Sequence, residues 1–372
     1  MTRDFVYVAI SLFTWGLGEG LFMYFQPLYL EELGASPISI GAILGIVGIT
    51  MTVFHIPAGY LADRIGRRKL MWAGWITGIL TTGIMAAARS LAVFSIGIVL
   101  YSVTLFVISP LNSYVTSARN KLTVEQALTT TAAAFSLGAV LGPLVGGFIA
   151  ETQGLRTIYF YAFGIFIISG LLILQIKSQP PEKDDQSTPG ELLKNKNFIL
   201  FMPLVFLVFF AMFLPQPLAP NFLKNQRDIS LQTIGLLGSF TSLGNVLLNL
   251  LFGNLPTKVG LLLGQFFVGI YAVLVWKTTQ IPLLATAYLL LGGYRATRTL
   301  MIAQVEKVVS KANLGLAYGV TETIAGLALV VAPPLAGMLY IKDPNLIFST
   351  ALLLLIPSVL LTLLWRKISW KL

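Results

Sequence analysis

Cysteine is absent from the 372 residues, and histidine occurs only once. No disulfide or thiolate metal site can form, and one histidine does not make a metal centre, so we expect neither a metal nor a cofactor. Charge is scarce as well, since Asp, Glu, Lys and Arg make up 11% of the chain against about 25% in a soluble domain. A water-soluble fold could not hide a chain that is 56% apolar, and this excludes a soluble globular protein.

Most of the chain consists of long apolar runs. A helix of roughly 20 apolar residues is long enough to cross a bilayer. The sequence predicts an all-α membrane protein with twelve transmembrane helices in two pseudo-symmetric six-helix bundles. The predicted spans are 5–30, 38–62, 69–88, 91–116, 126–150, 155–176, 197–222, 231–256, 261–277, 281–304, 314–341 and 345–366. We expect the first run to be a span rather than a cleaved leader, because it is too long for a signal peptide.

The Lys and Arg residues outside the spans alternate between the loops. With the N-terminus inside, seventeen lie in cytoplasmic segments and six in outer segments. Because positive charge is retained on the cytoplasmic side, we expect a multi-pass protein of the inner (cytoplasmic) membrane with both termini in the cytoplasm. This orientation explains the net charge of +10, so we expect the lipid bilayer, and not nucleic acid, as the partner.

One polar segment interrupts the apolar runs. Residues 177–196 read KSQPPEKDDQSTPGELLKNK, a composition typical of a flexible cytoplasmic linker. The linker divides the chain into predicted bundles of residues 1–176 and 197–372. Spans two and eight align at an offset of 194 residues, and spans five and eleven at 190. A parallel repeat of six spans is typical of transporters.

Two short motifs carry a resemblance to a known family. They are Gly59-x-x-x-Asp63-Arg64-x-Gly66-Arg67-Arg68 after span two and Gly138-x-x-x-Gly142-Pro143-x-x-Gly146-Gly147 in span five. The first resembles the loop signature of the major facilitator superfamily, and the second resembles the helix-five signature of its drug/proton antiporter branch. The resemblance covers the whole chain. It implies a monomeric transporter, not an enzyme, that works by alternating access on a small-molecule substrate with protons as the coupling ion.

The chain departs from that branch in two places. The branch usually has an arginine within helix four, and span four has none. The second-half copy of the loop signature, Gly253-x-x-x-Thr257-Lys258-x-Gly260, has lost the acid and the basic cluster. The proton path of the branch therefore does not transfer to this chain unchanged.

The loop motif has two interpretations. Its cations hold the loop on the cytoplasmic side, which is a topological role. It is also a candidate gate, because Asp63 can face the positive N-terminus of a neighbouring helix. The resemblance places the start of span eleven, near Asn313, in that position, where the contact would keep the cytoplasmic side closed.

The glycines of span five also have two interpretations. Small residues four apart let helices approach closely, and Pro143 removes one backbone hydrogen bond and bends the helix. Ordinary tight packing and a direct part in alternating access are both open.

Ionisable residues inside membrane spans are costly, so each is a functional candidate. Glu19 lies in span one, Arg295 and Arg298 in span ten, and Glu322 in span eleven. The resemblance places spans one, four, seven and ten around a central cavity, which favours Glu19 and Arg295 as proton or substrate residues. The alternatives are structural ion pairs, of Glu19 with an arginine and of Glu322 with Arg295 or Arg298.

Other classes of membrane protein fit the sequence less well. There is no GxxxxGK[ST] loop for an ATP-driven pump, no ring of acids for a channel and no nucleophile–base pair for an enzyme. The leading hypothesis is a secondary active transporter of the multidrug efflux type, which exports lipophilic or amphiphilic compounds with proton coupling. The alternatives are a carrier of a sugar, organic acid or lysolipid, and a transporter-like sensor that binds without exchange.

The gate interpretation predicts that Asp63→Asn lowers transport while the protein level is retained. Losing a charge-assisted contact of about 1.4 kcal/mol lowers the rate about tenfold. The measurement is transport by membrane vesicles normalised to protein level, with Asp343→Asn in an outer loop as the control. Transport and protein level unchanged in Asp63→Asn would leave the motif with a topological role only.

Overall fold

The computed structural model describes residues 2–118, 122–178, 195–305, 308–309 and 314–369. Regular structure in these residues is helical, without a strand. The helices are α1 (Arg3–Met23), α2 (Gln26–Glu32), α3 (Pro37–Ile65), α4 (Arg67–Ala87), α5 (Leu91–Ser102), a 3-10 helix (Val103–Val107), α6 (Ile108–Ala118), α7 (Val124–Gln153), α8 (Leu155–Ile173), α9 (Lys196–Phe213), α10 (Ala219–Arg227), α11 (Leu231–Gly253), α12 (Thr257–Lys277), α13 (Ile281–Leu291), α14 (Gly293–Val305), α15 (Leu314–Lys342) and α16 (Leu346–Ser369).

Ten stretches of the described residues are long and apolar enough to cross a membrane, judged by length and composition. One of them, Leu91–Ala118, consists of α5, the 3-10 helix and α6. The other two predicted spans correspond to α3, which is apolar over Pro37–Val53, the part whose side chains the structure describes, and to α13 followed by α14.

Proline interrupts two of the predicted spans. Span one, predicted over 5–30, ends at Met23, and α2 then starts with Pro27 in its first turn. A proline at this position costs little, because the first N–H groups of a helix have no partner within it. Span seven ends at Phe213, before the prolines of the LPQPLAP segment, and helix resumes at Ala219.

Span ten, predicted as one helix over 281–304, is broken at Gly292, where α13 ends and α14 begins. A Cβ at Gly292 would overlap the backbone of Gly244 and lie 2.5 Å from the backbone nitrogen of Asn245. Only glycine permits this approach of α11, so the break lies where two backbones meet.

Contacts between Cα atoms divide the chain into two compact units. Unit 1 comprises Met1–Ala35, Thr50–Asp184 and Ser230–Ser239, and unit 2 comprises Ser36–Ile49, Asp185–Ile229 and Phe240–Leu372. Each unit holds most of one predicted half and a short segment of the other. The boundaries at 176 and 197 stay a prediction, and residues 179–194 of the linker lie outside the described residues.

A buried hydrogen-bond network joins α1, α4 and α8 in unit 1. Ser11 Oγ donates to the Ser169 carbonyl oxygen at 2.9 Å, and Ser169 Oγ donates to the Ser11 carbonyl oxygen at 2.7 Å. Trp75 Nε1 donates to Ser169 Oγ at 2.9 Å. Lipid is as apolar as the helix surfaces, so membrane helices associate through close packing and such bonds. The network therefore fixes how these three helices meet.

A second buried network joins α12 and α16 in unit 2. Gln265 Nε2 donates to Thr362 Oγ1 at 3.0 Å, and Gln265 Oε1 accepts from Ser358 Oγ at 2.7 Å. All three side chains are buried. Both ends of the amide are satisfied, as a buried polar group requires.

The C-terminal end of α7 contacts the start of α11 within unit 1. The exposed Glu151 Oε2 accepts hydrogen bonds from the backbone N–H groups of Leu231 at 2.7 Å and Gln232 at 3.4 Å. N–H groups in the first turn have no partner within their own helix, and a carboxylate is favoured at the positive end of the helix dipole. Glu151 therefore caps the first turn of α11, which belongs to unit 1.

Candidate functional site

The loop motif begins at the end of α3. Gly59, Asp63 and Arg64 belong to the last two turns of that helix, and their side chains lie outside the described part of the structure. Gly66 precedes α4 with a φ of 90°, a left-handed conformation that favours glycine. A Cβ on Gly66 would meet nothing within 4 Å, so the backbone angle, and not lack of space, requires the glycine.

Two arginines of the motif hold the start of α4 in place. The buried Arg67 donates from Nη1 to Ser117 Oγ at 2.9 Å and to the Ser113 carbonyl oxygen at 3.3 Å, both on α6. The Arg68 guanidinium carbon lies 4.6 Å from the centre of the Trp72 ring, a cation–π contact. These arginines contact other residues of unit 1 in addition to placing positive charge in the loop. The gate role of Asp63 stays a prediction.

The span-five motif brings the backbone of α7 against that of α1. A Cβ on Gly138 would overlap the Phe13 carbonyl oxygen, and one on Gly142 would lie 2.7 Å from Gly20 Cα. Glycines of both helices interdigitate, which is the small-xxx-small arrangement of membrane helices. We call this contact the glycine seam, and it consists of Gly16, Gly20, Gly138, Gly142 and Gly146.

Pro143 and Gly147 of the same motif face α11. A Cβ on Gly235 would overlap the Pro143 carbonyl oxygen, and a Cβ on Gly147 would lie 2.9 Å from the Leu231 carbonyl oxygen. The motif thus packs α7 against α1 and against the first turns of α11, which lie in unit 1.

Glu19 is half-buried on α1. Trp15 Nε1, one turn earlier, donates to Glu19 Oε2 at 3.1 Å. The Tyr101 hydroxyl of α5 lies close enough for electrostatic interaction with the carboxylate. The Trp15 ring centre lies 4.9 Å from that of Trp75 and 4.5 Å from that of Phe166. The carboxylate is therefore held beside aromatic rings.

These rings belong to a larger group from α1, α4, α5 and α8, with centre-to-centre distances of 4.5 to 6.4 Å. The group, called the aromatic cluster below, is Trp15, Phe22, Trp75, Tyr101, Tyr159 and Phe166. The aromatic cluster could not be singled out from the sequence, because most aromatic residues of a membrane protein face lipid or core. The helical spacing of Trp15 and Glu19, four residues apart, was the one available signal.

In unit 2, Arg298 of α14 and Glu322 of α15 form an ion pair. Arg298 Nε donates to Glu322 Oε2 at 3.0 Å, and Arg298 Nη2 donates to the same oxygen. The structure therefore pairs Glu322 with Arg298, one of the two partners that the sequence left open. Arg295, one turn earlier, is exposed and forms no ion pair with a described residue.

Among the described residues, no group of three or more His, Asp or Glu side chains is arranged to hold a metal ion.

The chain matches the family model of the Major Facilitator Superfamily over residues 8–214 and 201–370. It belongs to that family, which confirms the resemblance carried by the loop motif. The chain is therefore a multi-pass membrane transporter and not an enzyme.

Its relatives by sequence include drug exporters. The chain is 23% identical to multidrug resistance protein 2 of Bacillus subtilis, with 98% of this chain and 95% of that protein covered. It is 24% identical to the multi-drug resistance efflux pump PmrA of Streptococcus pneumoniae, with 86% and 85% covered.

Solved structures share the fold. The nucleoside transporter NupG aligns with a TM-score of 0.81 at 15% identity and 99% coverage of both chains. A bacterial homologue of the human lysosomal transporter Spinster aligns with a TM-score of 0.77 at 14% identity, covering 98% of this chain and 97% of that one. At these identities the likeness shows the fold alone. It confirms the predicted twelve helices in two pseudo-symmetric six-helix bundles.

The glycine seam predicts that Gly142→Val destabilises the protein, because its Cβ would lie 2.5 Å from the Leu17 carbonyl oxygen. Overpacking of this kind costs about 1–3 kcal/mol, which lowers the unfolding temperature in detergent. Gly164→Val is the control, since a Cβ there meets nothing within 4 Å. An equal effect of both substitutions would contradict a specific contact at the seam.

The ion pair predicts that Arg298 and Glu322 are energetically coupled. A double-mutant cycle of Arg298→Gln and Glu322→Gln, followed by thermal unfolding in detergent, should give a coupling energy of about 0.5–3 kcal/mol. Each single variant leaves one charge inside the membrane without its partner, so the double variant should be more stable than the sum of the single effects predicts. Strictly additive effects would show that the pair contributes no stability.

Proposed function

We propose that this transporter exports lipophilic or amphiphilic compounds by alternating access, coupled to proton entry, as a monomer of the cytoplasmic membrane with both termini inside. The single observation that carries the proposal is the position of Glu19, a half-buried carboxylate on a membrane helix, beside Trp15 and Tyr101.

A carboxylate in such a place can exchange a proton for a substrate. A poorly hydrated negative charge is costly, and either a proton or a cationic group removes that cost. Proton and substrate then compete for one group. Competition of this kind couples two fluxes only if each ligand binds the inward-open and outward-open states with different affinity.

The aromatic cluster supports a lipophilic substrate. Rings of α4, α5 and α8 surround the Trp15 side chain, whose N–H donates to the carboxylate. An aromatic face attracts a cation by about 0.5–2 kcal/mol, and the same face binds apolar groups of many shapes. The rings of the cluster are buried in this conformation, so a substrate reaches their faces only after a conformational change. A negative charge beside them then suits lipophilic cations of different structure.

Export, as opposed to import, is supported by two independent features. The span-five motif resembles that of the drug/proton antiporter branch, and its glycines form the seam between α1 and α7. Relatives that align over most of the chain include a multidrug resistance protein and a multi-drug resistance efflux pump.

The test uses purified protein in proteoliposomes with an imposed pH gradient and an internal pH dye. Ethidium, a lysophospholipid and a sugar are added in turn. We expect proton flux with ethidium, reduced at least about tenfold in Glu19→Gln, the equivalent of about 1.4 kcal/mol. Glu32→Gln, which alters an exposed carboxylate of α2, is the matched control and should behave as wild type.

Each other result has a defined meaning. Wild-type flux in Glu19→Gln would show that another group carries the coupling. Counterflow of a solute without proton movement would make the protein a uniporter, and binding without counterflow would make it a sensor.

A further inference from the structure

One positive charge in unit 2 has no described counterion. Helix α14 carries Arg295 and Arg298, and among the described residues the acid that forms an ion pair with this helix, Glu322, is paired with Arg298. Arg295 is exposed, and no ion pair joins it to a described residue. A guanidinium near the middle of a membrane span is costly unless water or an anion accompanies it. Arg295 therefore marks a place where a negative group is favoured.

Tyr294 provides an unused hydrogen-bond donor at the same place. Its hydroxyl oxygen is buried and has no hydrogen-bond partner among the described residues, although such groups are normally satisfied. The hydroxyl interacts electrostatically with Arg295, Arg298 and Glu322, so it lies near all three charges. An acceptor oxygen beside Arg295 would satisfy it.

Two apolar rings of α9 pack against the Tyr294 ring. The ring centres of Phe209 and Phe213, both on α9, lie 5.7 Å and 5.9 Å from that of Tyr294. A cation, a hydroxyl donor and two apolar rings thus occur together on α9 and α14. This combination suits a molecule with an anionic head and an apolar body.

The Arg298–Glu322 pair makes the site selective for negative charge. An unpaired Glu322 would repel an anion and attract a cation. Because Arg298 neutralises it through two donors to one oxygen, the sum of the three charges is positive. Thr299 is engaged elsewhere, since its hydroxyl donates to Asn249 Oδ1 at 3.0 Å. The Thr297 hydroxyl, which also has no partner among the described residues, packs against Gly264 of α12. The donors of α14 that remain for a ligand are therefore Arg295 and the Tyr294 hydroxyl.

We propose that Arg295 and Tyr294 bind the anionic head, a phosphate or carboxylate, of a single-chain amphiphile whose chain contacts Phe209 and Phe213. The guanidinium pairs with the anion, and the Tyr294 hydroxyl donates to one of its oxygens. The inference rests on the proposed function because the ligand is one of the exported amphiphiles. It depends neither on proton coupling nor on Glu19.

The test measures binding to the full chain in dodecyl maltoside by isothermal titration, without any pH gradient. The probes are octyl phosphate, octyltrimethylammonium and inorganic phosphate. We expect octyl phosphate to bind at least about tenfold more tightly than either of the others, since charged hydrogen bonds and apolar contact both contribute.

Four variants test the residues themselves. Arg295→Gln should weaken octyl phosphate binding at least about tenfold, and Tyr294→Phe roughly threefold. Arg295→Lys, which keeps the charge, should bind with an affinity between wild type and Arg295→Gln. Arg89→Gln removes an exposed arginine outside the spans and should bind as wild type does. Thermal unfolding of each variant confirms that it is folded. If Arg295→Gln does not fold, the comparison with wild type uses Arg295→Lys instead.

Three results would overturn the proposal. They are equal binding of octyl phosphate and octyltrimethylammonium, unchanged octyl phosphate affinity in Arg295→Gln, and inorganic phosphate binding as tight as that of octyl phosphate, which would mean a free anion instead of an amphiphile. If octyl phosphate does not bind as expected, the proposal of proton-coupled export through Glu19 is unaffected. Failure of the proton-flux experiment leaves this binding measurement equally valid.

Discussion

The backbones of α1 and α7 touch along the glycine seam, and this contact determines where Glu19 lies. Gly16 and Gly20 face α7, and a Cβ on Gly18 would lie 3.3 Å from side-chain atoms of Ile165 and Phe166 on α8. With both neighbouring helices packed against glycine, α1 has little freedom to rotate or slide. The carboxylate is therefore fixed towards Trp15 and Tyr101. The arrangement of unit 1 therefore depends on positions where glycine leaves no side chain between two helices.

The two units handle membrane charge in different ways. Unit 1 holds Glu19 with an indole donor and the aromatic cluster. Unit 2 pairs Glu322 with Arg298 and keeps a second arginine exposed. Because charge inside a bilayer is tolerated only with a partner, water or a ligand, each solution limits what can bind. A negative group beside aromatic rings favours positive, lipophilic ligands on physical grounds, whereas an excess guanidinium favours negative ones.

Sequence predicted the features that depend on residue type, and missed those that depend on packing. Apolar runs and loop charge were enough for the helical membrane fold, and the loop motif for the family. The helix breaks at Gly292 and before Pro27 were not predicted, because apolar periodicity continues through them. Glu322 could be assigned to either arginine from sequence, since Arg295 and Arg298 lie one turn apart. The aromatic cluster brings together residues up to 151 positions apart, from Trp15 to Phe166, which no local pattern reveals.

The Glu151 cap on α11 has a consequence for how these helices can move. The carboxylate is exposed, so water can replace each of its two backbone donors as α7 and α11 separate. Exchanging a solvated hydrogen bond for one with water changes the free energy by little. The contact therefore favours one position of the first turn of α11 on α7, and it would offer little resistance to their separation.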